Sequence, residues 1–252
     1  MNLKGLRFFV GKHTPVRPNE RQTHGSAPKK RNAPYMKNRF LEIFDILLDS
    51  YGPRYWWPAE TPFEVCVGAI LTQNTNWTNV EKAIANLKSA GLLSPAELRD
   101  ISVEQLAELI RPAGYFNVKS ARLKDFIYWL YTHHGGSLDA LFAGDLAAVR
   151  TELLRVRGIG PETCDSMLLY AGHKPSFVVD AYTKRLFSRL DLISATASYD
   201  RVRDLFMANL PADPELYNEY HALIVEHCKE RCRTRPLCGE CPLSFPCGYS
   251  PR

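Results

Sequence analysis

The residues best suited to chemistry in this sequence are four cysteines near its carboxyl end. Of seven cysteines in 252 residues, Cys232, Cys238, Cys241 and Cys247 have the spacing C-x5-C-x2-C-x5-C. Such a compact set of thiolates is typical of one metal or cluster site. Zinc sites usually have two tight C-x2-C pairs and this run has one, so the spacing favours a [4Fe–4S] cluster over zinc. Disulfides, the third interpretation, require a secreted protein, and the amino terminus has no signal-peptide pattern.

A glycine turn between two helical patterns is the second chemical feature. The turn is Gly158-Ile159-Gly160, and Pro161 opens the helix that follows. Glycine allows positive φ and leaves no side chain above the amides. The start of the following helix can therefore bind a phosphate, and Arg157 adds positive charge. An ordinary turn between helices is the alternative.

An acidic residue that follows three apolar residues lies twenty residues after the turn. Asp180 ends the run Phe177-Val178-Val179-Asp180, and a carboxylate in such a place is partly desolvated unless it is paired. Its simplest role is the N-cap of the helical segment that follows. A desolvated carboxylate is also a candidate for acid–base or electrostatic catalysis, and the two roles are compatible.

Helices must position these groups, because almost every segment after residue 36 has helical periodicity. Ser94 and Ser102 each begin a capping-box pattern, with Glu97 and Gln105 three residues later. No alternating apolar run is long enough for a strand. The sequence therefore predicts an all-α protein of about ten or eleven short helices.

Positive charge is concentrated at the amino end. The first 39 residues have ten Lys/Arg and one acid, a net charge of +9, whereas the remainder has 22 basic and 26 acidic residues, a net charge of −4. Residues 1–35 have little apolar periodicity, which predicts a disordered tail. The tail is either a non-specific nucleic-acid arm or a non-essential extension, and Met36 is an alternative start.

The apolar runs are too short to span a membrane. The longest, residues 65–71, is far below the roughly 20 residues that a spanning helix needs. We therefore expect an intracellular protein, located in the cytoplasm or nucleoid if the source is prokaryotic.

Together, the glycine hairpin, the Val-Val-Asp run and the cysteine loop resemble the endonuclease III superfamily of DNA glycosylases. The three signals occur in that family's order, and the resemblance covers residues 38–247. It implies two helical domains with a cleft between them. Residues 57–174 would form a six-helix barrel with the helix-hairpin-helix, and residues 36–56 with 175–252 would form the domain that carries the [4Fe–4S] loop.

One departure from that family concerns the first cysteine. The family has six residues between its first two cysteines, and this chain has five between Cys232 and Cys238. Cys228 is therefore an alternative first ligand.

The resemblance implies a monofunctional enzyme of base excision repair. In such glycosylases the hairpin binds a phosphate of bent duplex DNA, and the damaged nucleotide is flipped into the cleft. Asp180 matches the aspartate that stabilises positive charge on the sugar and orients or deprotonates water. Glu162 replaces the lysine that forms a Schiff base in bifunctional members. We therefore expect hydrolysis of the N-glycosidic bond without cleavage at the abasic site.

Tryptophans near the expected cleft resemble the branch of 3-methyladenine DNA glycosylase III. That branch has Trp-Trp-Pro and then Leu-Thr-Gln-Asn-Thr before an aromatic residue, and this chain has Trp56-Trp57-Pro58 and, later, Trp77. These four residues are the predicted lesion pocket, where aromatic faces attract a cationic alkylated purine. Core packing of the rings is the alternative. Ala69 stands where the adenine-mismatch branch has a glutamate, which disfavours that branch.

The same resemblance predicts the contacts with damaged double-stranded DNA, which a monomer is expected to bind. Gln73 matches the residue that fills the space left by the flipped base, and Tyr115 matches a wedge in the opposite strand. A packed loop is the alternative for Tyr115. The full set of expected DNA contacts is Gln73, Tyr115, Arg157, Gly158, Ile159 and Gly160.

Three functions remain compatible with the sequence. The first is a monofunctional glycosylase for alkylated purines such as 3-methyladenine. The second is an endonuclease III-like glycosylase for oxidised, deaminated or mismatched pyrimidines that lacks the lyase step. The third is a non-catalytic iron–sulfur DNA-binding protein, which the presence of Asp180 together with Gln73 disfavours.

Overall fold

The structure is a computed structural model that describes residues 33–245 and 247–249. This part of the chain is helical and contains no strand, which confirms the all-α prediction. The helices are α1 (Ala33–Tyr51), α2 (Pro62–Leu71), α3 (Trp77–Ser89), α4 (Pro95–Asp100), α5 (Val103–Leu109), α6 (Phe116–His134), α7 (Leu138–Phe142), α8 (Leu146–Leu153), α9 (Pro161–Ser166), α10 (Ala181–Arg189), α11 (Tyr199–Asn209) and α12 (Pro214–Glu230). A 3₁₀ turn (Arg111–Ala113) precedes α6, and a π turn (Met167–Ala171) continues α9.

The predicted basic tail lies outside the described residues as far as residue 32. Helix α1 begins at Ala33, three residues before the boundary that the sequence predicts. Within the described chain, no helix is both long enough and apolar enough to cross a membrane.

Short polar side chains begin many of the helices, because they accept hydrogen bonds from amides that the first turn leaves free. Ser102 and Gln105 form the complete capping box that the sequence predicts. Ser94 accepts from the amide of Glu97, one half of the predicted box. Asp180 is the N-cap of α10, so this predicted role is confirmed.

The helices pack as two groups. In one group α1 contacts α11 and α12, and α10 contacts α12. In the other, α2 contacts α3, α6 and α9, while α4 and α5 pack on α6. The π turn after α9 contacts both α2 and α12 and so joins the groups. The division into domains at residues 57 and 174 stays a prediction.

An aromatic cluster fixes the segment that leads to Asp180. The ring of Phe177 stacks on that of Phe206, with 3.9 Å between centroids, and Tyr220 meets both rings edge-on. The Tyr220 hydroxyl donates to the carbonyl of Phe40 at 2.8 Å, which ties α12 to α1. Since aromatic pairs add to the free energy of burial, this cluster holds Asp180 at a defined place three residues beyond Phe177.

A buried ion-pair network holds the helices of the glycine hairpin, α8 and α9, against α11. Asp165 on α9 is fully buried, and its two oxygens accept from Arg150 on α8 at 2.9 and 3.1 Å. Arg203 on α11 lies 3.2 Å from the same carboxylate, and the Ser176 hydroxyl donates to it. Removing one partner of such a network leaves a buried charge uncompensated, so the network constrains how the hairpin faces α11.

Candidate active site

A cavity of about 420 Å³ opens where the carboxyl end of α2, the hairpin turn, the start of α10 and α12 meet. This volume is sufficient for a base-sized ligand. Five of the predicted site residues line it: Trp57, Gln73, Gly158, Gly160 and Asp180.

Asp180 is buried at the wall of this cavity and uses its two oxygens differently. Oδ1 accepts from the amide of Thr183 at 2.7 Å and from the Thr183 hydroxyl at 2.9 Å. Oδ2 has no hydrogen-bond partner among the described residues. The carboxylate is therefore fixed in orientation by one oxygen, while the hydrogen-bonding capacity of the other is unused.

His221 on α12 lies behind Asp180 and faces its free oxygen. The distance from Nε2 of His221 to Oδ2 of Asp180 is 3.7 Å, and both atoms are buried. On the other side of the ring, Nδ1 lies 2.7 Å from the Tyr170 hydroxyl. When Tyr170 donates to Nδ1, the neutral imidazole carries its proton on Nε2 and directs it at the carboxylate.

The two carboxyl groups of the cavity have pKa values that shift in opposite directions. Burial alone would raise the pKa of Asp180, but His221 and the hydrogen bonds from Thr183 outweigh burial, and the pKa lies below its usual value. Burial and the charge of Asp180 raise the pKa of Glu162 to about 8. At neutral pH the cavity thus holds one carboxylate and one mostly protonated carboxylic acid.

Gln73 ties the end of α2 to the hairpin turn. Its Nε2 donates to the carbonyl of Gly158 at 3.0 Å and to the Thr163 hydroxyl at 2.9 Å, and its Oε1 accepts from Arg122. Gly158 has a φ of +87°, and an added Cβ there would lie 2.4 Å from the Arg122 side chain. Glycine is therefore required at this position by both conformation and space.

The rest of the hairpin has a different arrangement from the one the sequence predicts. Gly160 has a φ of −91° and so does not need glycine's freedom, and a Cβ there would meet open space. Ile159 is buried in the core, which leaves only its backbone for a contact with DNA. Arg157 is exposed on the outer side of the turn and does not line the cavity.

Of the four residues of the predicted lesion pocket, Trp57 lines the described cavity. Trp57 lines the cavity and packs against Tyr170 with ring centroids 5.0 Å apart. Trp77 is 2% exposed, meets Trp57 edge-on and does not line the cavity. Trp56 and Pro58 also lie outside the lining. Sequence spacing placed these side chains near one another but could not assign the face that each presents.

Tyr115 stands clear of the cavity, and its side chain is 67% exposed. It is the residue before α6 and has a φ of +47°. Lys119, one turn into α6, is buried and donates to the carbonyls of Leu71 at 2.8 Å and Ala113 at 2.7 Å. This ammonium joins the Tyr115 loop to the end of α2, from which Gln73 projects, so the two predicted DNA-probing residues share one anchor.

The cysteine loop follows α12 and is held by arginines of α10. Arg185 donates to the carbonyl of Cys232 at 2.8 Å, and Arg189 Nη1 lies 3.2 Å from the Cys232 sulfur. Burial raises the pKa of the Cys241 thiol, and the neighbouring thiolates of Cys232, Cys247 and Cys238 add to this shift.

The thiols of this loop have the chemistry of cluster ligands, but their geometry is open. The seven cysteines are free thiols. Among the described side chains, no group of three His, Cys, Asp or Glu is arranged as a finished metal site. The chemistry of the donor set fits a thiolate-bound cluster, since four cysteine thiolates are the ligands that such a cluster takes.

Sequence reasoning missed His221 and Tyr170. His221 lies in an apolar run of α12, where a histidine is usually a core residue, and Tyr170 is 51 positions away. A buried histidine in such a run was the one signal present. Only the fold brings it to Asp180.

Residues 67–212 match the family described as "HhH-GPD superfamily base excision DNA repair protein". The chain is 52% identical over 215 residues to a protein of Methanocaldococcus jannaschii named "Putative DNA repair glycosylase MJ1434", a match that covers 84% of this chain and 98% of that protein. It is 29% identical to the endonuclease III of Thermotoga maritima, over 75% of this chain and 83% of that one.

Two solved structures have the same fold. The H. pylori 3-methyladenine DNA glycosylase MagIII, bound to 1,N6-ethenoadenine, is 30% identical with a TM-score of 0.66, over 77% of this chain and 97% of that chain. A non-covalent endonuclease III–DNA complex has a TM-score of 0.72 at 21% identity, over 84% and 95% of the two chains.

Proposed function

Because the chain belongs to the HhH-GPD superfamily of base excision DNA repair proteins, we propose that it is a monofunctional DNA glycosylase that hydrolyses the N-glycosidic bond of alkylated purines such as 3-methyladenine. The observation that carries this proposal is the free Oδ2 of Asp180, a buried carboxylate at the wall of a base-sized cavity beside the hairpin.

Asp180 would act on the sugar of the flipped nucleotide. Departure of the base leaves positive charge on the deoxyribose ring, and a fixed carboxylate stabilises that charge without reorganising. Its low pKa keeps it ionised at neutral pH. The free oxygen can also orient or accept a proton from the water that adds to C1′.

The residues around Asp180 support hydrolysis without a lyase step. A Schiff base requires an amine next to the sugar, and the lining of the cavity described for this structure includes Glu162 but no lysine. Lys184 on α10 donates to the carbonyl of Ala197 at 3.0 Å. Lys119, the buried lysine, is bound to two carbonyls.

A cationic purine is the lesion that Trp57 supports best. Its indole forms part of the cavity wall, where attraction between an aromatic face and a positively charged base is worth about 2 kcal/mol when water is excluded. The 30% identity to an enzyme named for 3-methyladenine supports the same substrate class. Ala69, which also lines the cavity, leaves room for an added alkyl group.

Double-stranded DNA would approach from the side of the hairpin. The backbone of Gly158, Ile159 and Gly160 would contact a phosphate, with Arg157 nearby, as the likeness to an endonuclease III–DNA complex supports. Gln73 would enter the space left by the flipped base, and exposed Tyr115 would contact the opposite strand. A monomer is sufficient for this arrangement.

The cysteine loop would hold a [4Fe–4S] cluster through Cys232, Cys238, Cys241 and Cys247. Such a cluster supplies a redox-active scaffold for the loop, and no step of hydrolysis requires it. The Arg189 guanidinium lies 3.2 Å from the Cys232 sulfur and would stabilise its thiolate, which favours Cys232 over Cys228 as the first ligand.

A second candidate is release of damaged or mismatched pyrimidines. It is supported by relatives at 28–29% identity named endonuclease III and thymine/uracil-DNA glycosylase. Base release from matched duplexes with one methylated, oxidised or deaminated base separates the two candidates. We expect release of the methylated purine. Release of the pyrimidine lesions alone would overturn the alkylpurine assignment, and release of no base would overturn the glycosylase assignment.

A further inference from the structure

Two carboxyl groups from different elements line one cavity in this protein. Asp180 is the N-cap of α10, and Glu162 lies in the first turn of α9, next to the hairpin. Asp180 accepts two hydrogen bonds from Thr183. No hydrogen bond or ion pair to the Glu162 carboxyl is present among the described residues. The fold therefore stabilises the charge of one carboxyl and leaves that of the other unsupported.

The surroundings of Glu162 favour its protonated form. Burial and the negative charge of Asp180 both raise the pKa of Glu162, against a smaller effect of Lys184. The ammonium of Lys184 is bound to a backbone carbonyl. Several titratable or charged groups face this region from the other elements: Arg122 of α6, Tyr170 of the π turn, Tyr199 of α11 and His221 of α12. Arg122 is bound to Gln73.

We propose that Glu162 is the general acid that protonates the departing base, and that the enzyme therefore also releases lesion bases that carry no charge. This inference rests on the proposed function, hydrolysis of an N-glycosidic bond with Asp180 ionised. When two carboxyl groups share one site and one is protonated while the other is ionised, the first can act as a general acid and the second can stabilise positive charge.

The proton balance of this step is complete. The bond between C1′ and the ring nitrogen breaks, and its electron pair leaves with the base. Glu162 transfers its proton to a ring nitrogen of that base, which departs neutral. Water adds its oxygen to C1′ and gives a proton to Asp180, and exchange with solvent restores both carboxyl groups.

The need for this acid depends on the charge of the lesion. A base that is already cationic departs as a neutral molecule without receiving a proton. An uncharged base would depart as an anion, so protonation lowers its barrier, and general acids typically contribute about 10²–10⁴ in rate. Glu162 should therefore matter for uncharged lesions and have little effect on cationic ones.

The pH dependence follows from the same assignment. Glu162 is protonated below a pKa of about 8 and loses its proton above it. Release of an uncharged base should fall as pH rises through this value, whereas release of a cationic base should not. A DNA phosphate at the hairpin adds negative charge, which moves the fall to higher pH.

Glu162→Gln tests this inference, with Glu215→Gln as its matched control. Both glutamates follow the proline that opens a helix, in α9 and α12, and Glu215 is exposed far from the cavity lining. Single-turnover base release is measured from pH 6 to 9.5 on duplexes with 1,N6-ethenoadenine, an uncharged lesion, and 7-methylguanine, a cationic one.

We expect Glu162→Gln to slow ethenoadenine release about 10²-fold or more, to remove its alkaline fall, and to leave 7-methylguanine release within several-fold of the wild type. Glu215→Gln should match the wild type on both. Equal slowing of both lesions by Glu162→Gln, or release of 7-methylguanine alone by the wild type, would overturn the inference and leave the proposed function standing. Release of neither lesion would overturn the inference, and a failure to release 3-methyladenine as well would overturn the proposed function.

Discussion

The two carboxylate oxygens of Asp180 have different neighbours and different roles. Oδ1 caps α10 through Thr183, and Oδ2 lies 3.7 Å from the Nε2 of His221. The cap fixes the orientation of the group, and the neighbouring imidazole opposes the effect of burial on its pKa. Asp180 can therefore be both the N-cap of α10 and a candidate catalytic carboxylate, the two roles that the sequence predicts for it.

The position of His221 predicts a shift in pH dependence. Without His221, burial of Asp180 is opposed less strongly and its pKa rises. Because a lowered pKa in the native enzyme keeps Asp180 ionised down to acidic pH, His221→Leu should move the acid limb of the pH–rate profile upward. Single-turnover release of a methylated purine between pH 5 and 8 measures this. An acid limb unchanged from the wild type would contradict the role, and His133→Leu, at an exposed histidine outside the cavity lining, is the control.

The two neighbouring tryptophans should respond differently to truncation. Trp57→Ala removes part of the cavity wall, and loss of a stacking face should cost about 1–3 kcal/mol in base release. Trp77→Ala instead opens a hole in the core and should lower the free energy of unfolding by about 3–5 kcal/mol. Denaturant unfolding and base release, measured on both variants, test the pair. Full stability of Trp77→Ala would contradict its burial.

At the scale of elements, side chains from neighbouring segments hold the hairpin turn in its conformation. Gln73 and Arg122 approach Gly158 from α2 and α6, so the turn is held by neighbours as well as by its own backbone. Lys119 connects the same end of α2 to the loop of Tyr115. The segments that would contact the two DNA strands are therefore tied to one another by these hydrogen bonds.

The two glycines of the turn give a matched prediction. Gly158→Ala places a Cβ 2.4 Å from Arg122 at a φ of +87°, whereas Gly160→Ala meets open space at a φ of −91°. We expect Gly158→Ala to lower the free energy of unfolding by about 1–2 kcal/mol or more and to weaken duplex binding. Gly160→Ala should keep the stability of the wild type. Denaturant melts and duplex titrations measure both effects, and equal stability of the two variants would contradict the geometry.

Local sequence patterns predicted the helices and their caps better than they predicted which side chains line the cavity. Helical periodicity and capping signals at Ser102 and Asp180 depend on neighbours within a few residues, and the structure has these caps. The face that Trp77 presents, and the pairing of His221 with Tyr170, depend on how distant helices pack. The family resemblance identified Asp180 and the hairpin, but it could not exclude Trp77 from the cavity wall.

At the scale of the whole molecule, α10 links the active site to the cysteine loop. Asp180 stands at its amino end, and Arg185 and Arg189 near its carboxyl end hold the backbone of the loop. Order in the loop therefore supports the helix that presents the carboxylate. This arrangement gives the loop a structural contribution to the site without any contact between the thiols and the substrate.

Cysteine variants test the metal site that this arrangement supports. We expect Cys232→Ser to lose iron and the broad absorption near 400 nm of a [4Fe–4S] protein, together with thermal stability, because the loop loses a ligand. Cys228→Ser should keep the iron. Metal analysis of the purified proteins decides between them. Iron retained in Cys232→Ser and lost in Cys228→Ser would reverse the ligand assignment, and zinc without iron in the wild type would contradict the cluster.

The central claim is that the negative charge of Asp180 stabilises the positive charge that develops on the sugar during hydrolysis of the N-glycosidic bond. Asp180→Asn keeps the size and the cap but removes the charge, a change that typically costs about 10²–10³ in rate. The most direct measurement is single-turnover release of a methylated purine by the wild type and by Asp180→Asn, with binding to abasic-site DNA measured alongside. We expect release to fall by at least that factor while binding stays within several-fold. Release by Asp180→Asn at the wild-type rate would contradict the account.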